Sequence, residues 1–217
     1  IAAEGKGFIV IGSDTKGLQA YTNVRVETNM EEKIMKVSKH VCIAVAGEGD
    51  IGTEFIDRFI RTLKTTDDGV NKISEKFRIF CRKEFFFKVA DIVKNPKSPE
   101  FIVAGLNKVG RTYKEPAIYY MDSSSAFYPG RRKKYAMTGH FVIANYLFSK
   151  YYIKLAGQNK LPDLIAKSIY DTGRCDTDVG TKMKIFIVDS SGTRDLPEIY
   201  VDGLYRTWEQ EGEDPTP

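Results

Sequence analysis

The tightest constraint on this chain is that its strand-like segments are, in several places, apolar on both faces. "FIVIGSD", residues 8 to 14, is an almost continuous apolar run ending in a small-residue corner, and "VCIAVAG", residues 41 to 47, is made of small and β-branched residues. A strand with one wet face alternates, whereas strands like these need cover on both sides. "YTNVRVET", residues 21 to 28, alternates more and predicts a strand with one wet face. "KIMKV" and "VCIAVAG" are separated only by Ser38-Lys39-His40, which predicts a tight hairpin.

From Gly49 the period changes. Ile51, Phe55, Phe59 and Leu63 recur every fourth residue with Ile56 and Ile60 beside them, the pattern of an amphipathic helix. A second helix is expected from Val70 to about Val93, ended by "NPKSP". "FIVAGLNK", "AIYYMD", "SAFYPG" and "KKYAMTG" then predict a meander of strands. Helices over Phe141–Leu155 and Leu161–Thr172 follow, and two closing strands, "KMKIFIVD" and "PEIYV", are joined by the turn "SSGTRD". Strands, two helices, strands, two helices, strands: this order predicts an α+β fold, a four-layer αββα sandwich of two mainly antiparallel sheets. One domain is expected over residues 1–208, with a flexible acidic tail over 209–217.

Composition narrows the function classes. The chain of 217 residues, 42% hydrophobic and 29% charged, is of ordinary soluble globular type. No apolar run approaches the ~18 residues of a spanning helix, and the chain opens on a strand-like pattern instead of a signal peptide, so no membrane partner is expected. Cys42, Cys81 and Cys175 form no CxxC pair and leave an odd count, which fits a reducing cytosol. Cys42 and Cys81 read as buried small hydrophobes, and two histidines away from any cysteine pair argue against a structural zinc; no metal and no cofactor are expected. The net charge of +4 is mild, and its one concentrated piece, "RRKK" at 131–134, reads as a solvated hairpin edge and not as a nucleic-acid site.

Lys33 poses the chemical question. It leads the apolar strand of Ile34, Met35 and Val37, and an amine heading into a core must meet an anion, shed its proton or be catalytic. Taken singly, the neighbouring candidates are bland: Asp14 is an ordinary strand-end residue, Gly47 an ordinary glycine before a helix, and Lys33 could snorkel to the surface.

Taken together and in order, "KGFIVIGSDTKG", "KIMKVSKHVCIAVAGEGDIG", "FIVAGLNKVG", "AIYYMDSSSAFYPG", "YAMTG" and "RCDTDVGTKMKIFIVD" resemble the signature blocks of 20S proteasome subunits and their bacterial relatives. The likeness implies the sandwich of the N-terminal-nucleophile hydrolases, in which the first mature residue, usually threonine, attacks a peptide carbonyl. Its own α-amine, with a pKa of ~8, takes the proton. Carried over by position, Lys33 matches the catalytic lysine, Asp14 the carboxylate that pairs with it, Asp176 a second carboxylate that orients the amino-terminal group, and Gly47 the glycine whose N–H forms the oxyanion hole. A peptide would bind as an added strand between the segment after Asp14 and that of Gly47. Its first pocket would be lined by Gly17, Met35, Val45, Gly49 and Thr53, a set that favours apolar or small side chains.

The resemblance further implies peptide or unfolded-protein substrates, a homo- or hetero-oligomeric ring, an ATP-dependent unfoldase as partner and a cytoplasmic setting. The run Phe85-Phe86-Phe87 is expected to add to the subunit contacts. Departures bear on the activity. Ile1 aligns a few residues into a mature catalytic subunit, so a Thr, Ser or Cys nucleophile would precede it, or the subunit is an inactive scaffold. His140 stands about where the family has a serine, either capping the helix that follows or moving a proton near the site. Val179 replaces another serine, and "LQAYTNVRVETN" adds length to the strand pair flanking the cleft. A rival within the same chemistry is transfer to an amine, which would make the protein an amidase or peptide ligase.

Overall fold

Burial on both faces is what the apolar strands obtain. In this computed structural model the described residues are 1–21, 24–28, 32–47, 49–64, 67–85, 98–155 and 160–210. In chain order the elements are β1 (Ala2–Glu4), β2 (Ile9–Asp14), β3 (Gly17–Tyr21), β4 (Val24–Thr28), β5 (Ile34–Ser38), β6 (Val41–Ala46), α1 (Gly49–Thr62) and α2 (Val70–Glu84). There follow β7 (Glu100–Val109), β8 (Thr112–Met121), β9 (Gly130–Arg132), β10 (Tyr135–Ala136), α3 (Val142–Leu155), α4 (Leu161–Cys175), β11 (Met183–Asp189), β12 (Gly192–Asp195) and α5 (Glu198–Gln210).

One five-stranded sheet has the order β10-β1-β2-β11-β12, the other β5-β6-β7-β8-β9, and every pairing in them is antiparallel. The alternation of each inner strand sorts its side chains between layers. On β7, Ile102, Ala104 and Leu106 face the other sheet while Phe101 and Val103 face α1 and α2. On β11, Phe186 and Val188 face inward while Ile185 and Ile187 pack on α3 and α4. The intersheet layer is rich in small residues (Ala2, Cys42, Ala44, Ala104, Ala136), which lets two sheets stack closely around Ile9, Ile11, Ile34 and Phe186. The result is the expected αββα sandwich.

The helix layers are held by aromatic and branched side chains. Phe59 of α1 and Phe77 of α2 lie 4.9 Å apart, and Phe77 meets Phe101 edge-on at 4.9 Å. On the other face α4 presses so close to β2 that a Cβ on Gly12 would lie 2.5 Å from Ile165 Cγ2. The hairpin turn between β5 and β6 buries His40, whose ring stacks on Tyr113 at 3.8 Å and whose Nδ1–H donates to the Asp189 carbonyl at 3.0 Å. Cys42 and Cys81 are buried, as expected of small hydrophobes.

Several local expectations fail for identifiable reasons. "SAFYPG" is no strand: Asp122 accepts from the Ser125 amide and the Ser124 hydroxyl, and Ala126 and Phe127 take left-handed φ values of 52° and 57°. That turn drives Phe127 into the core against Phe85 and Phe101. The meander breaks there, because Tyr135–Ala136 leaves the second sheet and pairs with β1 in the first. The closing strand is β12, inside the segment expected to be a turn, and "PEIYV" instead opens α5, whose first turn hydrogen-bonds to the Pro197 carbonyl.

Residues 21–28 split between β3 and β4, which pair as a hairpin of their own. The second helix is seen to Glu84, and its expected continuation to Val93 lies outside the described residues, as do Phe86, Phe87 and residues 211–217. Phe85 is buried against Phe127 and so adds nothing to a surface patch, and residues 209 and 210 belong to α5. Arg131 and Arg132 lie on the edge strand β9 and stack over Tyr119 and Tyr120, as a solvated edge would. Among the described residues no helix is long and apolar enough to cross a membrane.

Two measurements check this packing. Gly12→Val forces side-chain atoms into α4 and should cost about 1–3 kcal/mol of stability in a denaturant titration. Burial holds the His40 imidazole below its ordinary value, partly opposed by its bond to Asp189. The unfolded chain therefore takes up this proton first as the pH falls. The histidine's contribution is complete above about 6.5 and is lost as the pH drops below it. The Tm of the wild type should fall more steeply from pH 7 to 5 than that of His40→Gln; equal slopes would rule this histidine out as the cause.

Candidate active site

β2 and β5 belong to different sheets, yet their ends meet. Asp14 closes β2 and Lys33 directly precedes β5, where its carbonyl accepts the Val45 amide at 2.9 Å. This backbone anchor sends the Lys33 side chain across the end of the intersheet layer to Asp14, with Nζ 3.1 and 3.0 Å from Oδ1 and Oδ2. The two side chains keep 19% and 16% of their exposure, so the ammonium faces an anion in a half-dry setting and not a bare core.

The carboxylate is held from further sides. Its Oδ2 accepts the Lys16 amide at 3.2 Å, a local turn of the aspartate onto the chain two residues on, and the Gly180 amide at 3.1 Å. Gly180 can approach because it lacks a side chain: a Cβ there would sit 2.7 Å from Lys16 Cβ. Lys16 in turn reaches Thr177 with its ammonium, donating to the carbonyl at 2.6 Å. The turn after α4 is thus fastened to the end of β2 at two points.

Asp176 begins that turn. Its amide donates to the Thr172 carbonyl at 2.8 Å and its carbonyl accepts the Val179 amide at 3.1 Å. Its Oδ1 accepts the Asp178 amide at 2.9 Å, and its Oδ2 accepts from His140 Nδ1 at 2.7 Å. His140 therefore turns its ring to Asp176. His140, Asp176 and Asp178 each bring one potential metal-ligating atom within 4.8 Å of the others, the one such trio among the described residues.

Gly47 has φ +84°, and a Cβ on it would lie 2.7 Å from the Ser98 carbonyl oxygen, so backbone shape and space both demand glycine. The corner carrying His140 docks beside it. A Cβ on Gly139 would lie 3.3 Å from Ala46 Cβ, and the Thr138 hydroxyl bonds the carboxylate of Glu100, the residue paired with Ala46. Of the expected pocket residues, Gly17 is buried at the start of β3 and Gly49 opens α1. Met35 packs partly buried on the cluster beneath α1, and Thr53 is half-buried. Val45, 3% exposed, is packed under α1, where a Cβ on Gly52 would meet it at 2.2 Å; it can only be the floor of such a pocket.

Lys33 and Asp14 are thus joined directly, Asp176 and His140 to each other, and the two pairs through the 176–180 turn. Sequence reasoning missed Lys16 and Gly180. The spacing of Asp14 and Lys16 carried a signal, since an aspartate commonly accepts an amide two residues on, but nothing local pointed from Asp14 to Gly180.

Comparison with known proteins points to a family. A family model described as "Proteasome subunit" matches residues 1–188. Among curated proteins, "Proteasome subunit beta type-2-B" of Arabidopsis thaliana is similar, 23% identical over 194 residues that cover 88% of this chain and 91% of the relative.

If the Asp14 clamp depends on the close approach of Gly180, then Gly180→Ala should cost about 1–3 kcal/mol by displacing Lys16. A denaturant midpoint equal to that of the wild type would show that the turn adjusts freely.

Proposed function

This chain belongs to the proteasome subunit family, and from that premise we propose that it is a peptidase whose amino-terminal nucleophile precedes Ile1. One observation supports the reading: the register of β1 on β2 leads from Ile1 toward Asp14, the partner of Lys33. Ile1 and Gly12 exchange backbone hydrogen bonds of 2.9 Å in each direction, continuing the β1–β2 ladder. Residues ahead of Ile1, kept in that register, would pair with Ser13 and then with Asp14, whose carboxylate holds the Lys33 ammonium.

In this reading Lys33 remains a cation, draws the nucleophile's hydroxyl toward ionisation and stabilises the negative charge of attack. Asp14 holds it through the bonds described above. Asp176 orients the amino-terminal group that takes the hydroxyl's proton, and the N–H of Gly47 receives the oxyanion. The peptide lies as an added strand between the β3 segment and Gly47, with Gly17, Met35, Val45, Gly49 and Thr53 around its first side chain. That set is apolar apart from Thr53 and supports cleavage after apolar or small residues. The family supports work within a ring in the cytosol on unfolded chains delivered by an ATP-driven partner. Three free cysteines are in keeping with such a compartment.

Val179 favours a second reading. A half-buried aliphatic residue occupies the turn that holds Asp176, where the family resemblance leads one to expect a hydroxyl, and a non-catalytic scaffold subunit would tolerate this.

Intact mass and amino-terminal sequencing of the protein purified from its source decide between them: a free Thr, Ser or Cys shortly before Ile1 is expected, and its absence favours the scaffold. With fluorogenic peptides, Lys33→Ala should lower kcat/KM by at least about 100-fold while the circular dichroism spectrum is retained. Unchanged turnover would mean that the site is elsewhere, and preferred cleavage after Asp or Arg would refute the pocket.

A further inference from the structure

Resting on that peptidase reading, we propose that Tyr205 of α5 is a positioning residue for the Lys33–Asp14 pair, acting through the segment 180–182. That segment is held on three sides. The end of β2 binds it twice: the Gly180 amide donates to Asp14 Oδ2 at 3.1 Å, and the Lys182 carbonyl accepts the Thr15 amide at 3.0 Å. The last turn of α4 lies against it, so that a Cβ on Gly173 would sit 2.8 Å from the Gly180 carbonyl oxygen and 3.1 Å from the Thr181 nitrogen. On the remaining side the Thr181 carbonyl accepts the Tyr205 hydroxyl. Neighbouring carbonyls of the segment thus serve different partners, Thr181 that of α5 and Lys182 that of β2.

The helix that carries Tyr205 is itself fastened along α4. At its start the Tyr200 hydroxyl donates to Asp163 in the first turn of α4, and further on the Tyr205 ring lies 5.2 Å from that of Tyr170. Leu204 adds an apolar contact with the cluster formed by α3, α4 and the first sheet. Burial, and after it the Asp202 carboxylate, raise the Tyr205 phenol above its ordinary value, so the hydroxyl stays a donor. With its bond in place Gly180 is kept against Asp14, and that carboxylate retains both of its amide donors. Without it the segment draws back from β2, Asp14 turns on the Lys16 amide that remains, and the Lys33 ammonium moves with it. The bond involves neither Gly47 nor the residues expected around the first substrate side chain, so its loss bears on turnover and not on peptide binding.

The test combines kinetics with 15N NMR on the full protein. Tyr205→Phe keeps the ring against Tyr170 and removes only the donor, and circular dichroism checks that it folds. Tyr200→Phe removes the other hydroxyl that fastens α5 and serves as the control for a loosened helix. Tyr205→Phe should lower kcat on fluorogenic peptides about 10-fold with KM nearly unchanged. Hydrogen exchange at the Gly180 amide should be about 10-fold faster in the same variant. Tyr200→Phe should leave both at their wild-type values. A wild-type kcat in Tyr205→Phe overturns the proposal, and so does an unchanged exchange rate at Gly180. An equal loss in the two variants also overturns it, since the hydroxyl would then only anchor the helix. Absence of turnover by the wild type instead overturns the peptidase reading, and this role with it, whatever the exchange rate.

Discussion

The ion pair between Lys33 and Asp14 is the contact on which the candidate site depends. It joins the end of one sheet to the beginning of a strand in the other, across the open end of the layer between them. For a pair this far out of water the desolvation cost offsets much of the Coulomb attraction, so it is weak evidence for stability. Its value is positional. An ammonium on a long flexible stem is held at one point by a carboxylate that is itself held by two backbone amides from different parts of the chain. Loss of any of these contacts would leave the cation in the molecule but not in its place.

Close packing makes that placement reproducible. Glycines stand where layers touch: Gly12 under α4, Gly52 against Val45, and Gly105, where a Cβ would meet the His40 carbonyl at 2.2 Å. Small residues between the sheets do the same on a larger scale, so the sheet ends cannot slide without opening voids in a dry core. The site is built at strand ends and turns, where the backbone is free to present N–H groups and side chains, on a scaffold whose middle is fully covered.

His140 and Val179 fall on one small region, the 176–180 turn and the corner opposite it. The ring of His140 takes the Asp176 carboxylate, and Val179, half-buried in the turn, donates its amide to the Asp176 carbonyl. The turn is attached to the end of β2 through Gly180 and Lys16, and so joins the His140–Asp176 contact to the Lys33–Asp14 clamp.

The layered fold was legible because strands apolar on both faces and helices with a period near four leave few other ways to bury their surfaces. Lys33 was legible as a question, since a cation at the head of an apolar strand needs a partner, and motif order named Asp14. Where the reading failed, at "SAFYPG" and "PEIYV", a strand-like composition was overruled by local turn chemistry: the Asp122 cap and left-handed backbone in one, a proline-led helix start in the other. By itself, then, the sequence determined the layers, the buried cysteines and the candidates for the charged pair, because burial and periodicity are properties of neighbouring residues. Only the tertiary structure decided that Gly180 bonds Asp14 and that His140 takes Asp176. Those partners are 166 and 36 residues apart along the chain, and nothing but the packing of turns against strand ends brings them together.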